Sequence, residues 1–347
     1  MSDCPYRDLS LSAAFFFAAL AIPAAAQPEA PTSPAGVVFA TSVDSPLQAR
    51  KASLLLDSLR RFGGPWADAP VHVVVDEVLE QTAPLWRRPG VTAHALGGDP
   101  ELRRFPYARK VLAAAQVERL VEKSARTLVW LDAETLVLSP PRALVLQGDT
   151  ALAVRPVFLR NAVALPEGAP LDAWWSRIVH EAGLGTSFPE TVVPLVDAGA
   201  FRWYVNCGVY AMRPSKGVLR EWARAFTALV ADPEVRKEAG PGGLRHVFLH
   251  QAVFAAVALA RTRADERASL PNEVGYPLHL HEKVPLAARL ARLDDAQVAI
   301  YEDLFERRPA WRGLIPASEG VAAFVDESVE WLRAGIPEGP ADRAGPR

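Results

Sequence analysis

Asp132 and Glu134 stand two residues apart, directly after the unbroken apolar run Leu128-Val129-Trp130-Leu131. In an extended segment residues i and i+2 point the same way, so both carboxylates share one side and Ala133 turns opposite. Two carboxylates held close repel, and burial sharpens the repulsion. A hard divalent cation, Mg²⁺ or Mn²⁺, removes that conflict because it prefers carboxylate and phosphate oxygens. The pair is therefore a candidate metal site. The plainer alternative, Asp132 capping a turn and Glu134 simply solvated, is equally open on these residues alone.

Other residues add to this pair. In "PLHLHE" (277–282) alternation predicts Leu278 and Leu280 on one face of an extended segment and His279 and His281 on the other. Imidazoles there complete a carboxylate-rich metal site or donate to a phosphate; a structural pair is the default. The H-E-x-x-H spacing of a zinc hydrolase is absent. In "YVNCGVYAM" (204–212) the Asn206 amide is placed to bond a sugar hydroxyl and Gly208 to permit close backbone approach, against a hairpin turn as the alternative. Gln251 falls near the start of a predicted helix, where an exposed position is the simpler reading. Arg109 and Lys110 lie in the first turns of another helix, within reach of a diphosphate. Trp174 and Trp175 offer a stacking surface, because neighbours on a helix are not expected to face inward together.

Buried strands and helices must position these groups. "VVFATSVDS" predicts a strand from Val37 to about Ala40 that ends at Thr41-Ser42, and "LQARKASLLLDSLRRFGG" a helix with a Gly-Gly stop. "VHVVVDE" and "VTAHAL" read as two more strands, and "YARKVLAAAQVERLVEKSA" as a helix leading into the strand Thr127–Leu131. That alternation predicts an α/β fold with a mostly parallel sheet flanked by helices. Ligands of such sheets bind outside the carboxyl ends of the strands, which brings Thr41 and Asp132–Glu134 to one cleft. Farther on, "FRWYVNCGVYAMRPS" reads as a strand pair and "GVLREWARAFTALVA" and "HQAVFAAVALA" as helices.

The composition is that of an ordinary globular chain of 347 residues, half of them hydrophobic, with a net charge of −2. No basic stripe is present, which excludes nucleic acid as a partner. Residues 1–26 carry an apolar stretch, Leu11 to Ile22, followed by Ala24-Ala25-Ala26. This pattern predicts a cleaved export signal, too short for a stable membrane span, although Asp3 and Asp8 outnumber Arg7 where a basic stretch is usual. An uncleaved anchor or a cytoplasmic protein is the alternative. Residues 27–35 form a Pro-rich linker, 36–332 a single domain, and 333–347 a tail with disorder-prone composition. With Cys4 removed, Cys207 is the only thiol, so neither a disulfide nor a Cys-based metal site is expected.

The order of these landmarks resembles the nucleotide-diphospho-sugar transferases of the GT-A fold, and glycosyltransferase family 8 in particular. A Thr/Ser-ended first strand is followed by "YARKVLAA", "LVWLDAETLVL", "YVNCGVYAMRP", "LHQAV" and "LPNEVGYPLHLH", from about Val37 to Val284. The resemblance implies a metal-dependent, retaining glycosyltransferase using a nucleotide-sugar donor, an acceptor and Mn²⁺ or Mg²⁺. Asp132 and Glu134 would be its metal motif, with Glu in place of a second Asp, and His281 or His279 its late metal ligand. Thr41, Lys110, Asp132, Asn206 and Gly208 would bind the donor, and Gln251 would face the reacting sugar. His250 stands where the family has an acidic residue. This favours, as the alternative, an exported sugar- or nucleotide-binding protein of the same fold without transferase activity.

Overall fold

Alternation along the first strand sets how the sheet is packed. In β1 (Val37–Val43), Val37, Phe39 and Val43 enter one apolar core while Val38 and Ala40 enter another on the opposite face. The same division runs through β4, where Leu128 and Trp130 face one core and Val129 and Leu131 the other. A strand covered on both faces has no polar side to show, hence the continuous apolar runs.

The structure is a computed structural model that describes residues 36–334 apart from 77–81, 162, 186–187, 189, 198, 241 and 309. The expected signal segment 1–26 and linker 27–35 lie outside the described residues. Of the expected tail, Arg333 and Ala334 are described, and they close the last helix. The strands are β1, β2 (Val71–Val75), β3 (Val91–Ala95), β4 (Thr127–Leu131), β5 (Thr135–Val137), β6 (Leu152–Val154), β7 (Thr191–Val192), β8 (Phe201–Arg202), β9 (Val209–Met212), β10 (Arg267–Ser269), β11 (Val274–Pro277) and β12 (Val298–Ile300). Seven form the central sheet in the order β10-β6-β9-β4-β1-β2-β3. β1 pairs in parallel with both β2 and β4, β2 with β3, and β10 with β6; only β9 runs antiparallel to its neighbours. A smaller sheet, β11-β12-β5, continues from the end of β4, with β12 antiparallel to β5. β7 and β8 form a short antiparallel pair.

Helices cover both faces. α1 (Pro46–Phe62) begins at Ser45, whose side chain accepts from the Gln48 amide at 3.2 Å, with Pro46 in the first turn. It packs against the face carrying Val37 and Phe39, and α2 (Ala83–Trp86) lies beside it. α3 (Ala108–Val121), α4 (Ala173–Glu181), α5 (Val218–Ala231), α6 (Pro233–Ala239) and α7 (Leu244–Arg261) build the opposite core. A third cluster joins the smaller sheet to α8 (Leu304–Arg307) and α9 (Glu319–Ala334). The α/β architecture and its mostly parallel sheet are as the sequence predicts.

Four local expectations are corrected. The 201–212 segment is not a strand pair: β8 pairs with β7, whereas β9 inserts into the central sheet. Residues 278–283 form a 3₁₀ turn, where i and i+3 eclipse. Leu278 and His281 are therefore buried together, and the expected alternation is lost. α7 starts at Leu244, which places Gln251 mid-helix and buried. Trp174 and Trp175 are both fully buried, their rings edge to face at 5.5 Å and 87°. Perpendicular rings let neighbours on one helix fill two directions of the core, and the Trp175 indole donates to the Val163 carbonyl at 2.8 Å.

Candidate functional site

β4 delivers Asp132 to the carboxyl edge of the sheet, and β9 meets it there. The Asp132 amide donates to the Gly208 carbonyl at 2.8 Å, and the Gly208 amide donates to Asn206 Oδ1 at 2.6 Å. A side chain at 208 would put its Cβ 2.8 Å from Asp132 Oδ2, so only glycine leaves room for the carboxylate. The Trp130 indole donates to Asp132 Oδ1 at 2.8 Å and Lys110 Nζ to Oδ2 at 2.6 Å. Lys110 projects from the first turn of α3 and also lies 3.6 Å from Cys207 Sγ. Burial alone would depress the Lys110 ammonium, but the Asp132 carboxylate more than offsets it and holds it above its ordinary value. Burial pushes the Cys207 thiol up to about 11, so it is not a thiolate at neutral pH.

Glu134 faces the same space and keeps a third of its side-chain surface exposed. Its nearest cation is Lys51 from α1, whose Nζ lies 3.8 Å away. Lys51 is only 4% exposed. It donates to the Glu302 carbonyl at 2.6 Å and pairs with Glu306 at 2.7 Å, off the line of a hydrogen bond. Burial, helped by Asp132, pushes Glu134 up to about 7, with Lys51 and Lys110 pulling the other way. Glu302 reaches the site from the end of β12, and the adjoining Tyr301 amide donates to the Glu134 carbonyl at 3.0 Å. Among the described residues Tyr107 and Glu302 are the two non-glycine residues with left-handed backbone, φ 60° and 48°. Both line the site, as conformations held by their surroundings commonly do.

These groups bound two adjoining cavities. The larger, about 390 Å³, has Lys51, Asn206, Gly208, His250 and Gln251 among its walls, with apolar sides from Phe158, Phe248 and Ile300. The smaller, about 300 Å³, opens among Ser42, Asp44 and Gln48. Tyr107, Lys110, Asp132 and Glu134 line both. His250 is buried, with Nδ1 2.9 Å from the Val247 carbonyl. Burial and then Lys110 push it well below its ordinary value, so the ring is neutral.

Lys110, Asp132, Glu134, Asn206, Gly208 and Gln251 are thus brought together. Two expected residues are not. Thr41 is fully buried on the α1 side of β1, and Ser42 lines the cavity instead. His281 is buried with Nδ1 2.7 Å from the Tyr276 hydroxyl, away from the cavity walls, because the 3₁₀ turn rotates it inward. His279 reaches the site only at second hand, with Nε2 3.3 Å from Glu302. Arg109 pairs with Asp76 at 2.5 Å. Sequence reasoning missed Lys51, Tyr107 and Glu302. A lysine on the apolar face of α1 was the available signal for the first; nothing local marked the others.

The divalent cation implied by the resemblance fits this site in charge. The cavity walls carry the carboxylates of Asp132, Glu134, Glu302 and Asp303 against the ammonium groups of Lys51 and Lys110, and all four offer hard oxygen donors. It does not fit as a three-ligand protein cage: among the described residues no group of three or more His, Cys, Asp or Glu is placed to hold a metal.

No protein-family model matches the chain, and no curated protein matches it. Among solved structures, the chain is similar to the galactosyltransferase LgtC in complex with donor and acceptor sugar analogs. The two are 15% identical, over 88% of this chain and 97% of that one, with a TM-score of 0.43. It is similar to the glycosyltransferase GlyE of Streptococcus pneumoniae TIGR4 at 13% identity, over 86% of this chain and 63% of that one, with a TM-score of 0.45. Mouse xyloside xylosyltransferase 1 is 13% identical over 77% of this chain and 97% of that one, with a TM-score of 0.38. At these identities and TM-scores the likeness assigns no activity to this chain.

Proposed function

We propose that this protein transfers a sugar from a nucleoside-diphosphate donor to an acceptor at the paired cavities. The observation that carries this reading is their junction: one acidic pair and one buried lysine, at the carboxyl edge of a mostly parallel sheet, serve two compartments at once. Ser42, Asp44 and Gln48 supply hydrogen-bonding groups for a nucleoside. Lys110 meets the diphosphate. Asn206 and the bare backbone of Gly208 receive the sugar, and the Gln251 amide stands at its reacting face. Phe158, Phe248 and Ile300 limit water at that end. Asp132 and Glu134 would hold Mn²⁺ or Mg²⁺, with the remaining positions left to phosphate oxygens. Such an ion, when bound, supplies Lewis-acid stabilisation of the departing diphosphate. The resemblance implies retention of anomeric configuration. The 1–26 segment implies export, with the mature chain starting near Gln27.

Calorimetry with UDP, GDP and ADP, with and without Mn²⁺, tests this. At least one should bind in a metal-dependent manner, and Asp132→Asn should weaken it by about tenfold or more, as removal of a metal ligand does. Failure of all three to bind would overturn the reading. The neutral, buried His250 favours a second reading, a binding protein of the same fold that has lost transfer. A bound nucleotide sugar that is never turned over would decide for it.

A further inference from the structure

Tyr107 is the most exposed aromatic side chain of the site, and its geometry is unusual in three independent ways. It caps α3 with a left-handed backbone, φ 60° and ψ 6°, and makes no side-chain capping bond. A bulky residue adopts that conformation only where the surroundings hold it. Its ring lies flat on the His250 ring, with centroids 4.0 Å apart and planes at 18°. The side chain is nonetheless 49% exposed, as expected when one face of a ring is covered and the other open. His250 lines the larger cavity but not the smaller, whereas Tyr107 lines both. The ring face away from His250 is thus the uncovered one, and Tyr107 borders the smaller cavity, which His250 does not.

Apart from Ala133, the rest of the smaller cavity wall is polar or charged: Ser42, Asp44 and Gln48 surround the space beside Lys110, Asp132 and Glu134. A flat apolar platform beside hydrogen-bond donors and acceptors suits a planar heterocycle with polar edges. We propose that the open face of Tyr107 stacks on the nucleobase of the bound nucleotide, with the His250 ring as its backing. This rests on the transferase reading and adds to it a residue that fixes the base while Lys110, three positions later on α3, meets the diphosphate. The neutrality of His250 suits the role, since an uncharged ring packs against tyrosine without a desolvation cost for charge.

The test compares wild type, Tyr107→Ala and Tyr107→Phe with Mg²⁺ present, using UDP, GDP, ADP and inorganic pyrophosphate as probes. Removing a stacking aromatic costs a base about tenfold in affinity. Tyr107→Ala should lose about that much for every nucleotide that wild type binds and nothing for pyrophosphate, while Tyr107→Phe keeps wild-type affinity. The base protons of bound UDP should shift upfield in NMR spectra of wild type and not of Tyr107→Ala. Unchanged nucleotide affinity in Tyr107→Ala, an equal loss for pyrophosphate, or no upfield shift in wild type would each overturn the platform while leaving the transferase reading intact. If wild type binds pyrophosphate but none of UDP, GDP and ADP, both fall together.

Discussion

Burial, with Asp132 and Glu302 adding to it, holds the proton on Glu134 up to about pH 7 against an ordinary value of 4.5, while Lys51 and Lys110 oppose the shift. Because the folded value is raised, this group's contribution to stability is fully present below about pH 4.5 and is lost as pH rises through about 7. Glu134→Gln should therefore flatten the fall in unfolding free energy between about pH 5 and pH 8. Urea unfolding at those two pH values reads it, and equal falls in variant and wild type would refute the assignment. The same proton must leave before a cation can use the carboxylate. Metal-dependent nucleotide binding should then strengthen between about pH 6 and pH 8 in wild type and show a weaker pH dependence in Glu134→Gln.

Among elements, α3 and α5 are joined by one carboxylate. α5 begins at Gly217, φ 66°, with no side-chain cap of its own. Glu118, fully buried on α3, accepts from the Leu219 amide at 3.1 Å and the Arg220 amide at 2.8 Å. It also meets Arg220 Nε at 3.2 Å, and the same guanidinium forks onto Glu122. Burial raises Glu118, and these donors pull it back. Glu118→Ala leaves two helix-terminal amides without their acceptor and should cost about 3 kcal/mol of stability. A loss below about 1 kcal/mol in urea unfolding would show that water replaces the carboxylate. β1 and β4 were legible in the sequence because burial on both faces writes them as apolar runs, whereas β10, three residues long and partly exposed, left no such mark. α7 was legible only in part. It is buried without interruption from Leu249 to Leu259, so its apolar residues show no stripe and its true start at Leu244 leaves no periodic mark. The acidic pair could be read because i and i+2 spacing is local. Lys51 arrives from a helix some eighty positions earlier, and His281 turns away within a 3₁₀ turn; both facts belong to packing, which spacing does not record.

For the whole molecule, the compartment and the chemistry proposed above pull apart. Nucleotide sugars are made in the cytoplasm, whereas residues 1–26 carry the pattern of an export signal. Mass spectrometry of the N-terminus from fractionated cells should find a chain starting at or near Gln27 outside the cytosol. An intact Met1 in the cytosolic fraction would refute export. The order in which the chain is made bears on the site as well. β5, which directly follows Glu134, finds its partner only in β12, and β6 finds one of its two neighbours only in β10. During synthesis, which proceeds from the N-terminus, the acidic pair thus exists long before the strand that closes its side. A nascent chain stalled before Val298 lacks Glu302, Asp303 and the Tyr301 amide that steadies the Glu134 carbonyl. The pocket is consequently among the last parts of the domain to become usable, and a ligand can assist folding only after the ribosome has released nearly all of it.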